Sequence, residues 1–161
     1  MGSSEQKGWM SIAGVSGPLW SGRRVLVAED DPAVRRMVER VLVTAGHGVR
    51  AVASAGEALD AFWLEPRGPD VLLLDVGLPD GNGRELARHL TSCRPDLAVV
   101  LMSGDPTPAP GDLVAGGRPP VLLRKPFSTA ELLAAIESAP KAYTPPAGDV
   151  DTTELWAVAF E

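Results

Sequence analysis

The sequence predicts an α/β fold in which a five-stranded parallel sheet is covered by helices on both faces. Five short apolar runs rich in Val and Leu alternate with segments whose apolar residues recur at helical spacing, an alternation typical of parallel sheets. One run, DVLLL (70–74), is continuously apolar after its first residue, as expected for a strand buried on both faces. The chain has 161 residues, of which 45% are hydrophobic and 22% charged, which is enough for one such domain.

The first strand and the first helix follow each other directly. RRVLVA (23–28) is a short valine-rich run, which is typical of a buried strand. A helix should start after it, because Asp31 can accept hydrogen bonds from free N–H groups and Pro32 fits the first helical position. Its apolar residues recur at helical spacing up to AGHG (45–48), whose glycines end the helix.

The second unit begins with VRAVA (49–53), which predicts a shorter strand. Ser54 and Glu57 have the spacing of a capping box, in which each side chain bonds the backbone N–H of the other residue. We therefore expect the second helix to start after Ser54 and to end at Pro66 and Gly68.

The next two strands are DVLLL (70–74) and DLAVVLM (96–102), with a helix at about 84–92 between them. The following segment, 103–120, contains five of the 15 prolines of the chain. Because proline interrupts helices, a regular helix fits only at about 111–115, so the fourth helix should be short or irregular.

The last strand is VLLR (121–124), and Ser128 with Glu131 forms a second capping box before a helix that ends near Ser138.

We expect a domain at 23–139, with an N-terminal extension (1–22) and a C-terminal tail (140–161). The formal net charge of −6 disfavours non-specific nucleic-acid binding. Cys93 is the only cysteine, which excludes a disulfide framework and a thiolate zinc cluster and fits a reducing cytosol. Neither a signal peptide nor an apolar run of about 18 residues is present, so we expect no membrane span and a cytoplasmic location.

Polar residues follow four of the five predicted strands. Glu29 and Asp30 come after the first strand, Asp75 after the third, Ser103 after the fourth and Lys125 after the fifth. The carboxyl ends of parallel strands meet at one edge of a sheet, where such folds bind their ligands. The sequence therefore predicts one site that combines these side chains.

The three carboxylates of this site need a positive partner. At ~4 Å and an effective dielectric of ~20, each pair would cost about 4 kcal/mol. Mg²⁺ suits two or three carboxylates, and the absence of a side chain at Gly77 lets its carbonyl approach the metal. With Mg²⁺ and the Lys125 ammonium beside it, Asp75 is a competent nucleophile for a phosphoryl group, and Ser103 offers a hydroxyl donor.

The motifs VLVAEDDP, LLLDVGLPDGNG, VVLMSGDP and LLRKPFS, in this order, resemble the receiver domain of two-component response regulators. The resemblance covers about residues 23–139 and implies a flavodoxin-like, doubly wound sheet with strand order 2-1-3-4-5. It implies that Asp75 is the phospho-acceptor, that Ser103 moves on phosphorylation and that Lys125, before a cis Pro126, binds the phosphoryl group. The implied ligands of Mg²⁺ are Glu29, Asp30, Asp75 and the carbonyl of Gly77.

The resemblance also implies partners. A histidine kinase or a histidine phosphotransfer protein would donate the phosphoryl group, and an unidentified output protein would bind the switched surface. A weak dimer is a further expectation, although the surface that often forms it includes the short fourth helix. Neither nucleic acid nor membrane is an expected partner, and we expect the chain to catalyse only its own phosphorylation and dephosphorylation.

Two alternatives remain open at this point. One is a degenerate receiver that takes up no phosphate and only binds a protein, and the intact acidic residues, Ser103 and Lys125 argue against it. Leu122 departs from the usual pattern, since many relatives have at this position the aromatic residue that couples to the hydroxyl. The other is a phosphatase or phosphotransferase with an aspartyl intermediate. Such enzymes usually need a second acid two residues after the nucleophile, where this chain has Gly77.

Overall fold

A computed structural model describes residues 22–65, 68–104 and 119–139 of the chain. Its elements, in chain order, are β1 (Arg24–Ala28), α1 (Pro32–Thr44), β2 (Gly48–Val52), α2 (Ala55–Leu64), β3 (Val71–Asp75), β4 (Gly77–Leu78), β5 (Gly81–Asn82), α3 (Gly83–Cys93), β6 (Ala98–Ser103), β7 (Val121–Arg124) and α4 (Thr129–Ser138). Within the described ranges, none of the helices has both the length and the apolar character needed to cross a bilayer.

Five strands form one parallel sheet in the order β2-β1-β3-β6-β7. The two-residue strands β4 and β5 pair with each other and lie outside this sheet, so β6 and β7 are its fourth and fifth strands. The order is therefore the predicted 2-1-3-4-5. The predicted α/β fold is therefore confirmed. The helix predicted at 111–115 and the segments 1–21 and 140–161 lie outside the described residues, so the expectations about them stay predictions.

The central strand β3 divides the core into two layers. Val71 and Leu73 pack into the layer beneath α1 and α4, whereas Leu72 and Leu74 pack into the layer beneath α2 and α3. All four side chains are fully buried, as the uninterrupted apolar run predicted. This double coverage fixes the register of β3, because a slip by one residue would exchange its two sets of side chains.

The helix starts that the sequence predicted are largely confirmed. Oδ1 of Asp31 accepts the N–H groups of Ala33 (2.8 Å) and Val34 (3.3 Å), and Pro32 is the first residue of α1. At α4, Oγ of Ser128 accepts Glu131 N–H at 3.1 Å and Oε2 of Glu131 accepts Ser128 N–H at 2.7 Å, which completes the capping box.

The capping box predicted at α2 is only half formed. Oγ of Ser54 accepts Glu57 N–H at 3.1 Å, but Oε2 of Glu57 accepts the N–H of Ala53, one residue before the cap, at 2.8 Å. The cap itself is therefore as predicted, and the return bond reaches further back than the motif requires.

The segment between β3 and α3 forms a hairpin that the sequence did not predict. Gly77 pairs with Asn82 and Leu78 with Gly81, which returns the chain to the end of β3. Gly83 starts α3 there, and a Cβ on it would overlap the carbonyl oxygen of Asp75 and lie 2.9 Å from the carbonyl carbon. Only glycine allows α3 to begin this close to the backbone of Asp75.

The substitution Gly83→Ala is expected to destabilise the fold by about 1–3 kcal/mol, since the added methyl must displace rigid backbone. Chemical denaturation monitored by circular dichroism measures this loss. Gly77→Ala is the matched control, because a Cβ at Gly77 meets nothing within 4 Å. Equal stability of the Gly83→Ala and Gly77→Ala variants would contradict the proposed steric role of Gly83.

His47 is a buried histidine that is not one of the predicted site residues, with 9% of its surface exposed. Its Nδ1 accepts the N–H of Arg23 at 2.9 Å and therefore carries no proton in the fold. Burial lowers the pKa of His47, and the charge of Arg23 acts in the same direction, while Glu137 opposes it. The folded state thus favours the neutral ring.

Because the folded pKa of His47 lies below the unfolded value, its contribution to stability is present above about pH 6.5 and is lost as the pH falls. In His47→Asn, an amide oxygen can replace Nδ1 without titrating. We expect the melting-temperature advantage of the natural chain over this variant to shrink between about pH 8 and about pH 5. A melting-temperature difference that stays constant across this range would contradict the conclusion that the fold favours neutral His47.

Candidate functional site

The carboxyl ends of four strands meet at one edge of the sheet and carry the predicted polar residues. Asp75 ends β3 and pairs with Met102 of β6, while Ser103 ends β6 and pairs with Arg124 of β7. The N–H of Lys125 donates to the carbonyl of Ser103 at 2.9 Å, which fixes the lysine directly beyond β7. Parallel pairing alone therefore brings these residues to one edge.

Glu29, Asp30 and Asp75 form a compact acidic cluster. Each offers a carboxylate oxygen, and these three oxygens lie within 4.8 Å of one another. Glu29 is fully buried and Asp75 is 8% exposed, whereas Asp30 is exposed to solvent. Three hard oxygen ligands with one open side are a suitable donor set for a divalent cation that keeps several waters.

Lys125 bridges the two buried carboxylates of this cluster. Its Nζ donates to Oε2 of Glu29 at 2.6 Å and to Oδ2 of Asp75 at 3.1 Å. The second oxygen of each acid accepts a backbone N–H, from Asp31 to Glu29 and from Gly77 to Asp75, both at 3.1 Å. Both buried acids thus have hydrogen-bond partners on both oxygens.

The pKa values of Glu29 and Lys125 follow from burial and hydrogen bonding. Burial raises the pKa of Glu29, although its bonds from Lys125 and Asp31 N–H act against the rise. For Lys125, burial acts to lower the pKa, but the hydrogen bonds to Glu29 and Asp75 outweigh it and the pKa is raised. The lysine is therefore a fixed positive charge at neutral pH.

The charges of the cluster do not cancel. With all four groups ionised, the three carboxylates exceed the single ammonium by two negative charges. The residues present therefore fit a divalent cation both in ligand type and in charge.

Two further predicted site residues lie at this edge of the sheet. Ser103 is half-buried at the end of β6, and Gly77 is exposed in β4 with open space where a side chain would stand. The predictions that the Ser103 hydroxyl and the Gly77 carbonyl take part in the site stay predictions. The peptide bond between Lys125 and Pro126 is cis, as the resemblance implied.

Arg35 supports the site and was missed in the sequence. Its Nη1 donates to the carbonyl of Glu29 at 2.9 Å and to that of Asp30 at 3.4 Å, from the first turns of α1. It thereby holds the backbone of the two acidic residues. The available signal was an arginine one helical turn after Asp31, on the side that faces the acidic pair.

Comparisons with known proteins agree with this geometry. Residues 25–137 match the model of the response regulator receiver domain. The chain is 34% identical over 127 residues to the DNA-binding transcriptional regulator NtrC of Azospirillum brasilense, covering 79% of this chain and 26% of NtrC. It is 33% identical over 115 residues to the response regulator receiver protein CpdR of Brucella abortus (strain 2308), covering 71% of this chain and 94% of CpdR.

A solved structure agrees as well. The CheY-like response regulator receiver domain protein from Methanospirillum hungatei JF-1 has a TM-score of 0.61 and 29% identity, covering 73% of this chain and 92% of that protein. The chain spans about a quarter of the length of the NtrC relatives, so the similarity concerns one domain of those proteins.

Proposed function

This chain belongs to the response regulator receiver domain family, and from that premise we propose that it accepts a phosphoryl group from a phosphohistidine onto Asp75 with Mg²⁺. Phosphorylation would then switch a surface that binds a protein partner. The observation that carries the proposal is the position of Asp75, whose Oδ2 lies 3.1 Å from the Lys125 ammonium within the acidic cluster.

The residues of the site suggest how the transfer proceeds. A carboxylate oxygen of Asp75 forms a bond to phosphorus while the bond from phosphorus to the histidine nitrogen breaks, and its electron pair stays on the imidazole. Lys125 is placed to pair with an oxygen of the transferred group, and the Gly77 N–H fixes the orientation of the Asp75 carboxylate.

Glu29, Asp30, Asp75 and the Gly77 carbonyl would hold Mg²⁺. The ion would supply the second positive charge that phosphoryl oxygens need in the transition state. Glu29 accepts hydrogen bonds at both oxygens from Lys125 and Asp31, so its carboxylate has a fixed orientation before the metal arrives. That preorganisation supports a metal site at this edge.

The proposed phosphodonor is a histidine kinase or a histidine phosphotransfer protein, and the output partner is a protein. CpdR and NtrC, by their names, are a response regulator receiver protein and a DNA-binding regulator. We propose that the present domain acts in the cytoplasm, that it contacts no nucleic acid itself, given a formal net charge of −6, and that it catalyses only its own phosphorylation and dephosphorylation.

A phosphorylation-independent receiver is the second candidate, and Leu122 favours it. This side chain is half-buried and packs against the apolar layer beneath α2 and α3. An aliphatic residue packed there cannot form the hydrogen bond or the ring rotation by which an aromatic residue would report the state of the Ser103 hydroxyl.

The test is incubation of the whole chain with acetyl phosphate and Mg²⁺, followed by intact-mass measurement. Phosphotransfer predicts a mass increase of one phosphoryl group, and no increase when EDTA removes the metal before acetyl phosphate is added. An unchanged mass at every Mg²⁺ concentration would favour the phosphorylation-independent receiver.

A further inference from the structure

The side chain of Asp80 attaches the turn between β4 and β5 to the start of α2. Its Oδ1 accepts the N–H of Ala55 at 2.8 Å and its Oδ2 accepts the N–H of Gly56 at 2.9 Å. These partners lie 25 and 24 residues earlier in the chain. A carboxylate that bonds two consecutive backbone amides is a charge-assisted, two-point attachment.

This attachment supplies bonds that α2 cannot provide for itself. The first N–H groups of a helix have no partner within it. In α2, the Oγ of Ser54 accepts Glu57 N–H at 3.1 Å, and the regular helical bonds begin with Ala58 N–H, which donates to the Ser54 carbonyl at 3.1 Å. Asp80 accepts the N–H groups of the first two residues of α2. The N–H groups of Gly56 and then Ala55 lower the pKa of Asp80, so it is ionised at neutral pH.

The turn fits closely against the helix. A Cβ added to Gly56 would lie 3.2 Å from Oδ2 of Asp80, and one added to Gly81 would lie 3.4 Å from the Cβ of Ala55. The two segments therefore have little room to slide past each other while the bonds of Asp80 are intact.

The fastened turn leads directly to the candidate site. Gly77 pairs with Asn82 across the hairpin, and its N–H donates to Oδ1 of Asp75 at 3.1 Å. Beside Gly77 at the base of the hairpin, Oδ1 of Asn82 accepts the N–H of Arg84 at 2.8 Å and caps α3. The hairpin is thus held by α2 at its turn and by α3 at its base, with Gly77 aimed at the acceptor carboxylate.

We propose that Asp80 is a positioning residue for the phosphorylation site, which fastens the β4–β5 turn to α2 and so holds Gly77 N–H against the carboxylate of Asp75. The structural part of this inference stands on the contacts of Asp80 alone, and its consequence for phosphorylation rests on the proposed function. Release of the turn would let Asp75 and the Gly77 backbone leave the orientation that the metal and the phosphoryl group require.

The test compares Asp80→Ala with Ser54→Ala in the whole chain. Both variants remove acceptors from the start of α2, so both should lower the melting temperature, but only Asp80→Ala releases the turn. Amide hydrogen exchange measured by NMR without metal should be about tenfold faster at Gly77 in Asp80→Ala and close to the natural rate in Ser54→Ala. Asp80→Asn keeps one oxygen acceptor, and we expect it to restore part of the protection.

A second measurement follows phosphorylation by acetyl phosphate as the Mg²⁺ concentration is raised. Asp80→Ala should need more Mg²⁺ for half-maximal labelling than the natural chain, whereas Ser54→Ala should not. Equal exchange at Gly77 in the two alanine variants would overturn the inference, and if Asp80→Ala does not fold, the same comparison with Asp80→Asn decides it. Failure of the natural chain to be labelled would instead refute the proposed function, and the exchange rates would still decide the role of Asp80.

Discussion

The substitution Asp75→Asn is expected to abolish labelling of the chain by acetyl phosphate in the presence of Mg²⁺. An amide oxygen is neutral and the amide nitrogen is delocalised, so neither replaces a carboxylate as nucleophile. Glu29 cannot take over readily, because it is fully buried and both of its oxygens accept hydrogen bonds. Intact-mass measurement should therefore detect no phosphoryl group on this variant.

The variant is expected to fold, which makes the loss of labelling interpretable. An amide oxygen at position 75 can still accept the N–H of Gly77, and Lys125 retains Glu29 as its partner. Removal of one charge from three crowded carboxylates also relieves repulsion. Asp60→Asn is the matched control, since it makes the same chemical change at an exposed position of α2, and it should be labelled like the natural chain. Undiminished labelling of Asp75→Asn would rule out the acceptor assignment.

Most of the sheet could be predicted from the sequence because each strand is a short apolar run between recognisable helix starts. The grouping of the candidate site residues could be predicted as well, because it follows from where parallel strands end. Parallel strands end at one edge, so the residues that follow the first, third and fifth predicted strands had to meet there once the strands were recognised. Glu29, Asp75 and Lys125 are indeed in direct contact or within the same cluster.

Strand ends were less predictable than the strands themselves. The third strand was expected at 70–74, but β3 runs over Val71–Asp75 and its last residue pairs with Met102. Hydrophobicity marks where the core ends, whereas the sheet continues as long as a neighbouring strand offers hydrogen bonds. Asp75 therefore belongs to the sheet that orients it, which a hydrophobic pattern cannot indicate.

The long-range contacts that hold the segments around the site could not be predicted, because no local sequence pattern indicates them. Asp80 bonds Ala55 and Gly56 across 25 and 24 residues, and this pairing depends on how a hairpin turn meets a helix start. Local motifs predict caps within three or four residues, such as the confirmed Ser128 cap. An aspartate beside a glycine is instead an ordinary turn signal. The sequence therefore predicts only a local turn role for Asp80 and does not indicate its bonds to Ala55 and Gly56.

The substitution Lys125→Met is expected to lower stability in the absence of metal and to make the chain more responsive to Mg²⁺. Methionine keeps the apolar stem but leaves Glu29 and Asp75 without their common cation, and the Glu29 side chain is only 1% exposed. Loss of one partner from a buried ion pair costs about 3–5 kcal/mol, and because the Lys125 side chain is 26% exposed we expect about 2–3 kcal/mol. Thermal unfolding with and without Mg²⁺ measures both effects.

The reason for the stronger response lies in the oxygens that Lys125 occupies. Its ammonium bonds Oε2 of Glu29 and Oδ2 of Asp75, and these carboxylates are also the proposed metal ligands. Without that ammonium the divalent cation becomes their main source of positive charge, so Mg²⁺ should raise the melting temperature more in the variant than in the natural chain. Labelling by acetyl phosphate should nevertheless fall, because the transferred oxygens lose their cationic partner.

The control variant Arg124→Met removes an exposed positive charge one residue earlier and should change neither the Mg²⁺ response nor the labelling. A Lys125→Met variant that no longer responds to Mg²⁺ would show that metal binding depends on the lysine and would contradict the role assigned to it beside the phosphoryl group.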